Sequence, residues 1–281
     1  MSNSTGLLYI VATPIGNLQD FTFRAQSILQ QVSLIAAEDT RHSRHLLTHF
    51  NITTPLQALH EHNEKQMAQV LLQRLQQGED IALISDAGTP LISDPGQYLI
   101  QLAHEHHIQV TPIPGASALI SALSVAGFSA DKFVFEGFLP PKSQARLQRL
   151  ELLQSDTRTL VFYEAPHRIL HCLAAMEIVF GSDRGAVLVK ELTKVFETVK
   201  RDKLNHLQSW LQEKPERQKG EFVIIVAGHP EIKMTEISTE AKHILKILQQ
   251  NLPLKQAAKL TSEITGVSKN KLYEFGLQQQ S

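Results

Sequence analysis

The stretch DIALISDAGTPLISDPG (Asp80–Gly96) decides how the chain reads. Ile81–Ile84 is an apolar run too short for a typical helix. It stops at a segment crowded with Gly, Pro, Ser, Thr and Asp. Gly88 and Gly96 open backbone conformations closed to other residues, and Pro90 and Pro95 remove conformational freedom. A rigid loop of this kind at a strand end presents backbone N–H and C=O groups to a small polar ligand. A single Gly-Pro turn would be no more than a connection between a strand and a helix.

Outward from this stretch the same pattern recurs. LLYIVATPI (Leu7–Ile15), VSLIAAED (Val32–Asp39) and IQVTPIPG (Ile108–Gly115) are short apolar runs that end in polar or Gly/Pro clusters. Residues 62–77 are rich in Gln, Leu, Ala and Met and read as a helix that stops at Gly78. Ser117–Ala126 reads as a small-residue helix after a Pro-Gly turn. Alternating apolar strands and helices predict a parallel sheet covered on both faces. Ligands of such sheets bind outside the carboxyl ends of the strands. Four loops qualify by position and composition: Ala12–Asn17, Ser85–Gly96, Pro112–Ser117 and Phe162–Arg168.

A second series of strands follows at Lys132–Phe138, Thr157–Ala165, Gly185–Leu192 and Glu221–Gly228, with helices over 143–154, 166–180 and 203–213. After Gly228-His229-Pro230 the strands stop, and 236–250 and 253–279 read as helices, Pro253 opening the second. The fold class is therefore α/β: two α/β units side by side, over 1–128 and 129–232, and a small C-terminal helical segment over 233–281.

Bulk properties narrow the function. Of 281 residues, 42% are hydrophobic and 20% charged, enough to fill a core. The single cysteine, Cys172, excludes an internal disulfide framework and a multi-cysteine metal site, and fits a reducing, cytoplasmic setting. MSNSTGLLYIVATP has no basic leader, and its apolar run breaks at Thr13-Pro14, unlike a signal peptide or membrane span. Residues 1–130 carry 5 Lys/Arg against 10 Asp/Glu, whereas 131–281 carry 22 against 18. That asymmetry reads either as solvated surface or as a second half facing a polyanion. There is no GxGxxG after the first strand, no GxxxxGK[ST] and no GxSxG, so dinucleotide, P-loop and hydrolase-elbow sites lack support. His42, His45 and His49 share a helix face but lack an HExxH-type carboxylate and read as exposed helix histidines, so no metal is expected.

Eight segments in order carry a resemblance: Leu8–Ala25, AEDTRHSRHLL (Ala37–Leu47), Leu83–Gly96, PIPGASALISAL (Pro112–Leu123), FEGFLP (Phe135–Pro140), FYEAPHR (Phe162–Arg168), KELTKVFE (Lys190–Glu197) and KGEFVIIV (Lys219–Val226). Together they resemble the tetrapyrrole-methylase superfamily, and within it the branch that methylates a cytidine ribose 2′-hydroxyl of small-subunit (16S) ribosomal RNA. The resemblance implies two αβα domains, S-adenosylmethionine bound in the cleft, a homodimer, and ribosomal RNA in the assembled 30S subunit as partner, with no membrane. Ala12-Thr13-Pro14-Ile15-Gly16 and Gly88-Thr89-Pro90 stand where methylases of tetrapyrroles carry further glycines and an acidic residue. Those departures match the RNA branch and count against the alternative, a corrinoid-type small-molecule methyltransferase.

On this reading Pro14, Ile15, Asp86, Ala87, Gly88, Thr89, Pro90, Ser117, Ala118, Tyr163 and Glu164 are the donor-site candidates. Asp39 is a candidate to orient or deprotonate the hydroxyl and Arg41 to assist it; the plainer reading of Asp39 is a helix N-cap with a surface salt bridge. Lys190-Glu191 is the rival catalytic pair, or simply a strand-end ion pair. Arg41, Arg44, His167 and Arg168 are candidates for RNA contact. Leu252–Phe275, with Lys255, Lys259, Lys269 and Lys271, has a helix-turn-helix pattern, so a DNA-binding regulator is the rival outside enzymes.

Overall fold

The computed structural model describes residues 5–230 and 237–279. Its first sheet contains β1 (Leu8–Val11), β2 (Leu34–Ala37), β3 (Leu56–Ala58), β4 (Ile81–Ile84) and β5 (Val110–Ile113), all parallel, in the order β3-β2-β4-β1-β5. The helices between and after them are α1 (Phe23–Gln31), α2 (Thr40–His49), α3 (Glu64–Gln76), α4 (Gln97–Glu105) and α5 (Ala118–Ala126). Successive strand residues point to opposite faces, and both faces are apolar. Leu8, Ile10, Leu34, Ala36, Ile81 and Leu83 pack with Leu71, Leu75 and Leu99 of α3 and α4. Val11, Ile35, Ala37, Ala82 and Ile84 pack with Ala25, Leu29 and Leu47 of α1 and α2. This double burial is why the central strands are continuous apolar runs.

The second sheet contains β6 (Phe133–Phe138), β7 (Thr159–Glu164), β8 (Gly185–Lys190), β9 (Thr198–Lys203) and β10 (Phe222–Val226), in the order β6-β7-β10-β8-β9. Only β6 and β7 run parallel; β10 lies antiparallel between β7 and β8, and β9 antiparallel beside β8. Leu160, Phe162, Leu188, Ile224 and Val226 face α6 (Ser143–Glu151), α7 (Ile169–Phe180) and α8 (Leu204–Gln212). Apolar pattern does not encode strand direction, so the mixed order was not foreseen. Two strands were also missed. β3 is three half-buried residues, and β9 (TVKRDK) is a charged edge strand with no apolar run.

The helix α5 binds the halves together. A boundary at 128/129 assigns it to the first domain, yet Leu119, Ala122, Leu123 and Ala126 pack on Val161, Val187, Val189, Val223 and Ile225 of the second sheet. Each large apolar side chain buried there contributes about 1.5–3 kcal/mol. Residues to His229 form one compact unit and Pro230–Ser281 another. The second unit has α9 (Thr239–Gln249), α10 (Leu254–Thr265) and α11 (Lys269–Gln278). The start of the helix expected at 236 lies outside the described residues; in the structure Ser238 caps α9 through the Ala241 N–H. Gly266, at φ 71°, ends α10. Ala241, Leu245, Ala257, Ala258, Val267 and Leu272 give this unit a core of its own.

Candidate active site

Three loops at the carboxyl ends of the first sheet are laced by hydrogen bonds. Thr13 and Gly88 exchange backbone bonds of 2.9 and 3.1 Å, a one-residue antiparallel bridge between the loops after β1 and β4. The Ser85 hydroxyl donates to the Gly88 carbonyl at 3.2 Å, and the Thr89 hydroxyl to the Ala116 carbonyl at 3.1 Å, tying in the loop before α5. Gly88 sits at φ +84°, and a Cβ there would lie 3.1 Å from Ile15 Cγ2. Only glycine meets both the backbone and the space requirement.

The second sheet supplies the opposite wall. Tyr163 lies near the end of β7, with the Phe135 and Phe138 rings packed against it at 4.8 and 5.7 Å between centroids. Its hydroxyl accepts the Leu119 N–H at 3.0 Å, at an α5 N-terminus where the Ser117 side chain makes no cap. Burial pushes the Tyr163 phenol up, the Leu119 N–H acts the other way, and the charge of Asp94 adds to the rise. Between the walls lies a cleft of ≈ 350 Å³, a volume that fits a small-molecule ligand.

Nine of the eleven donor-site candidates line this cleft: Ile15, Asp86, Ala87, Gly88, Thr89, Ser117, Ala118, Tyr163 and Glu164. Pro14 and Pro90 do not; Pro90 is buried. Glu164 reaches the cleft wall, but its buried carboxylate is already engaged by the Ala165 N–H at 2.8 Å and by Arg168 at 3.0 Å.

Asp39 does not line the cleft. It caps α2 through the Arg41 N–H at 2.8 Å and pairs with the Arg41 guanidinium at 3.1 Å. That guanidinium, through its hydrogen bond and charge, holds the Asp39 carboxyl down at about 2. Lys190 is buried at the end of β8 and also lies off the lining. Glu191 accepts from Lys194 at 3.0 Å and from the Glu221 N–H at 2.9 Å, so its ion pair is with Lys194 and not with Lys190. Arg168 is turned inward, donating to the Leu139 carbonyl and Glu164, and offers little to a partner; His167 beside it is exposed. Arg41 and Arg44 are exposed on α2 and share an open basin with His45, Thr48 and His49.

Several lining residues were missed: Ile92, Ser93, Asp94, Phe138, Leu192, Glu221 and Phe222 among them. For Asp94 a signal was available, because the loop contains the step Ser-Asp-x-Gly twice, at Ser85–Gly88 and Ser93–Gly96. Burial, with the Glu38 and Asp86 carboxylates nearby, pushes Asp94 up to about 7. Glu38 rises as well, from burial first and then from Asp86 and Asp39.

Comparison with known proteins adds kinship to this geometry. Residues 7–208 match the family described as Tetrapyrrole (Corrin/Porphyrin) Methylases, and residues 235–280 match the RsmI C-terminal HTH domain. The chain is 54% identical over 278 residues to Ribosomal RNA small subunit methyltransferase I of Pseudomonas aeruginosa, covering 99% of each. It is 53% identical over 278 residues to the protein of that name from Pasteurella multocida, again covering 99% of each. Among solved structures it resembles uroporphyrin III C-methyl transferase of Thermus thermophilus complexed with S-adenyl homocysteine. There the TM-score is 0.56 at 14% identity, over 79% of this chain and 97% of that one, a likeness of fold.

Proposed function

Since this chain belongs to the ribosomal RNA small subunit methyltransferase I family of tetrapyrrole methylases, we propose that it methylates a cytidine ribose 2′-hydroxyl in 16S ribosomal RNA, with S-adenosylmethionine as donor. The observation that carries this reading is the cleft. On one side are Ala87, Gly88, Ser117 and Ala118, small residues that leave backbone groups within reach of a polar ligand. On the other are Val189, Leu192, Phe222 and Val223, an apolar surface suited to a flat ring. The fit to the donor rests on Gly88, where any Cβ would intrude beside Ile15.

When bound, the donor supplies an electrophilic methyl group on a sulfonium. Ile15, Asp86, Ala87, Gly88, Thr89, Ser117, Ala118, Tyr163 and Glu164 are the residues that would hold it. The protein's contribution is to position the two reactants and exclude water. The exposed Arg41 and Arg44, with His45 and His49 on the same helix, are placed to meet RNA phosphates, and His167 adds a further polar contact. A homodimer, the assembled 30S subunit as substrate and a cytoplasmic location complete the proposal, and rest on the family resemblance. Among the described residues no helix is long and apolar enough to cross a membrane.

The test is labelled S-adenosylmethionine with 30S subunits from cells lacking this protein, followed by mapping of alkali-resistant ribose. One methyl group per subunit on a cytidine ribose is the expected result. Transfer to corrinoids alone, or DNA binding without transfer, would overturn the proposal.

A further inference from the structure

We propose that Asp94 is the catalytic residue that takes the ribose 2′-hydroxyl proton during methyl transfer, a role that rests on the function proposed above. Four carboxylates line the cleft: Asp86, Asp94, Glu164 and Glu221. Asp86 accepts the Asp39 N–H at 3.1 Å, Glu164 is paired with Arg168, and Glu221 is paired with Lys194 at 2.9 Å. Of these four, Asp94 is the one that among the described residues pairs with neither a cation nor a backbone N–H; the Ser85 side chain lies close enough to act on its charge. A carboxylate with open acceptor capacity, facing the cavity, is what a proton acceptor requires.

The backbone around Asp94 is set before any ligand arrives. Leu91 and Ser93 both adopt φ 75°, a left-handed conformation that costs non-glycine residues about 1–3 kcal/mol. On the far side Gly96 sits at φ +122°, where a Cβ would lie 2.5 Å from Leu83 Cδ2. The Glu64 carboxylate clamps the same turn, accepting the Gly96 and Tyr98 N–H groups at 3.0 and 2.9 Å. The strained loop thus delivers Asp94 to the cleft wall, close enough to Tyr163 for its charge to act on the phenol. Strain concentrated beside a cavity marks a functional constraint, since a mere connection relaxes.

The surroundings suit the role. Glu38 at the end of β2 and Asp86 in the same loop act on Asp94 with like charge, and burial adds to them; Ser85 acts in the opposite sense. Beyond these, Asp39 and His60 act on Glu38 with opposite signs. A base balanced near neutral pH combines a useful ionised fraction with real proton affinity. In the step, the ribose oxygen forms its bond to the methyl carbon and its proton passes to the Asp94 carboxylate. The carbon–sulfur bond breaks with its electron pair kept by sulfur, so a sulfonium, an alcohol and a carboxylate become a thioether, a methyl ether and a carboxylic acid.

The test uses the full chain with 30S subunits and two readouts. Wild-type transfer should rise with pH to a plateau, with a midpoint near 7. Asp94→Asn should lower kcat by about 10²–10⁴ and remove that limb, while S-adenosylhomocysteine affinity by calorimetry stays within about threefold of wild type, less than 1 kcal/mol. Independently of activity, carboxyl-labelled aspartate should show in the free enzyme one resonance titrating near 7 that Asp94→Asn removes. Asp94→Asn with wild-type kcat and the same limb overturns the assignment and leaves the methyltransferase standing. Loss of S-adenosylhomocysteine binding in Asp94→Asn overturns it too, moving Asp94 to the donor site. A wild-type enzyme that transfers nothing to 30S subunits removes the proposed function itself.

Discussion

The Tyr163 hydroxyl, carried by the second sheet, accepts the backbone N–H of Leu119 at 3.0 Å, at the start of the helix that follows the first sheet. One side chain thereby caps α5 and fixes the distance between the two walls of the cleft. Tyr163→Phe keeps the ring but leaves that N–H without its acceptor. The unfolding free energy should fall by about 1–2 kcal/mol. S-adenosylhomocysteine affinity should fall with it, and urea unfolding beside calorimetry checks both.

Gly88→Val should abolish donor binding in a folded protein. The substitution meets a φ of +84° and an approach of 3.1 Å to Ile15 Cγ2. A loss beyond about tenfold in S-adenosylhomocysteine affinity corresponds to about 1.4 kcal/mol. Gly181→Val is the control: φ is +90° there, with nothing within 4 Å of the new Cβ. It should be similarly strained yet bind normally. Equal affinity in both variants would place the donor elsewhere.

Stability should carry the imprint of Asp94 on pH. Its carboxyl is raised from 3.8 to about 7 in the folded chain, chiefly by burial. A raised value favours the folded state where the group is protonated. The contribution is complete below the unfolded value and is lost as pH rises through about 7. Compared with Asp94→Asn, the wild type should lose stability as pH rises from about 4 to about 7. Urea unfolding of both proteins from pH 4 to 8 measures it; a pH-independent difference would contradict the burial.

Asp39 should prove structural. Asp39→Asn retains an oxygen able to cap α2 and should change stability little, whereas Asp39→Ala should cost about 1 kcal/mol. Both should keep methyl transfer within a few fold. Arg41→Ala combined with Arg44→Ala should leave the melting temperature alone and weaken 30S binding. The salt dependence should flatten by about one unit of slope for each phosphate that is no longer neutralised.

Removing residues 230–281 should leave donor binding and the melting of the first unit intact, because the helical unit has its own core in Leu245, Ala257, Val267 and Leu272. Affinity for the 30S subunit should drop, most at low salt, since Lys255, Lys259, Lys269 and Lys271 all lie exposed. Calorimetry with S-adenosylhomocysteine and a salt series of subunit binding separate the two effects.

Much of this protein was determined by sequence alone. Runs such as Ile81–Ile84 and Phe222–Val226 bury both faces of a strand, so their composition announces a covered sheet wherever they pair. Gly88 and the prolines around it mark a ligand loop because backbone conformation is a local property. Tertiary structure alone decided the direction of β10, the packing of α5 on the second sheet and the charge state around Asp94. Each of these depends on residues distant in the chain. Asp39 and Asp94 are the same amino acid in similar polar stretches. Arg41 lies two residues from Asp39, whereas Glu38 approaches Asp94 only when β2 and β4 lie side by side. Electrostatic energy depends on distance through space and on burial, which appear only after the chain has folded.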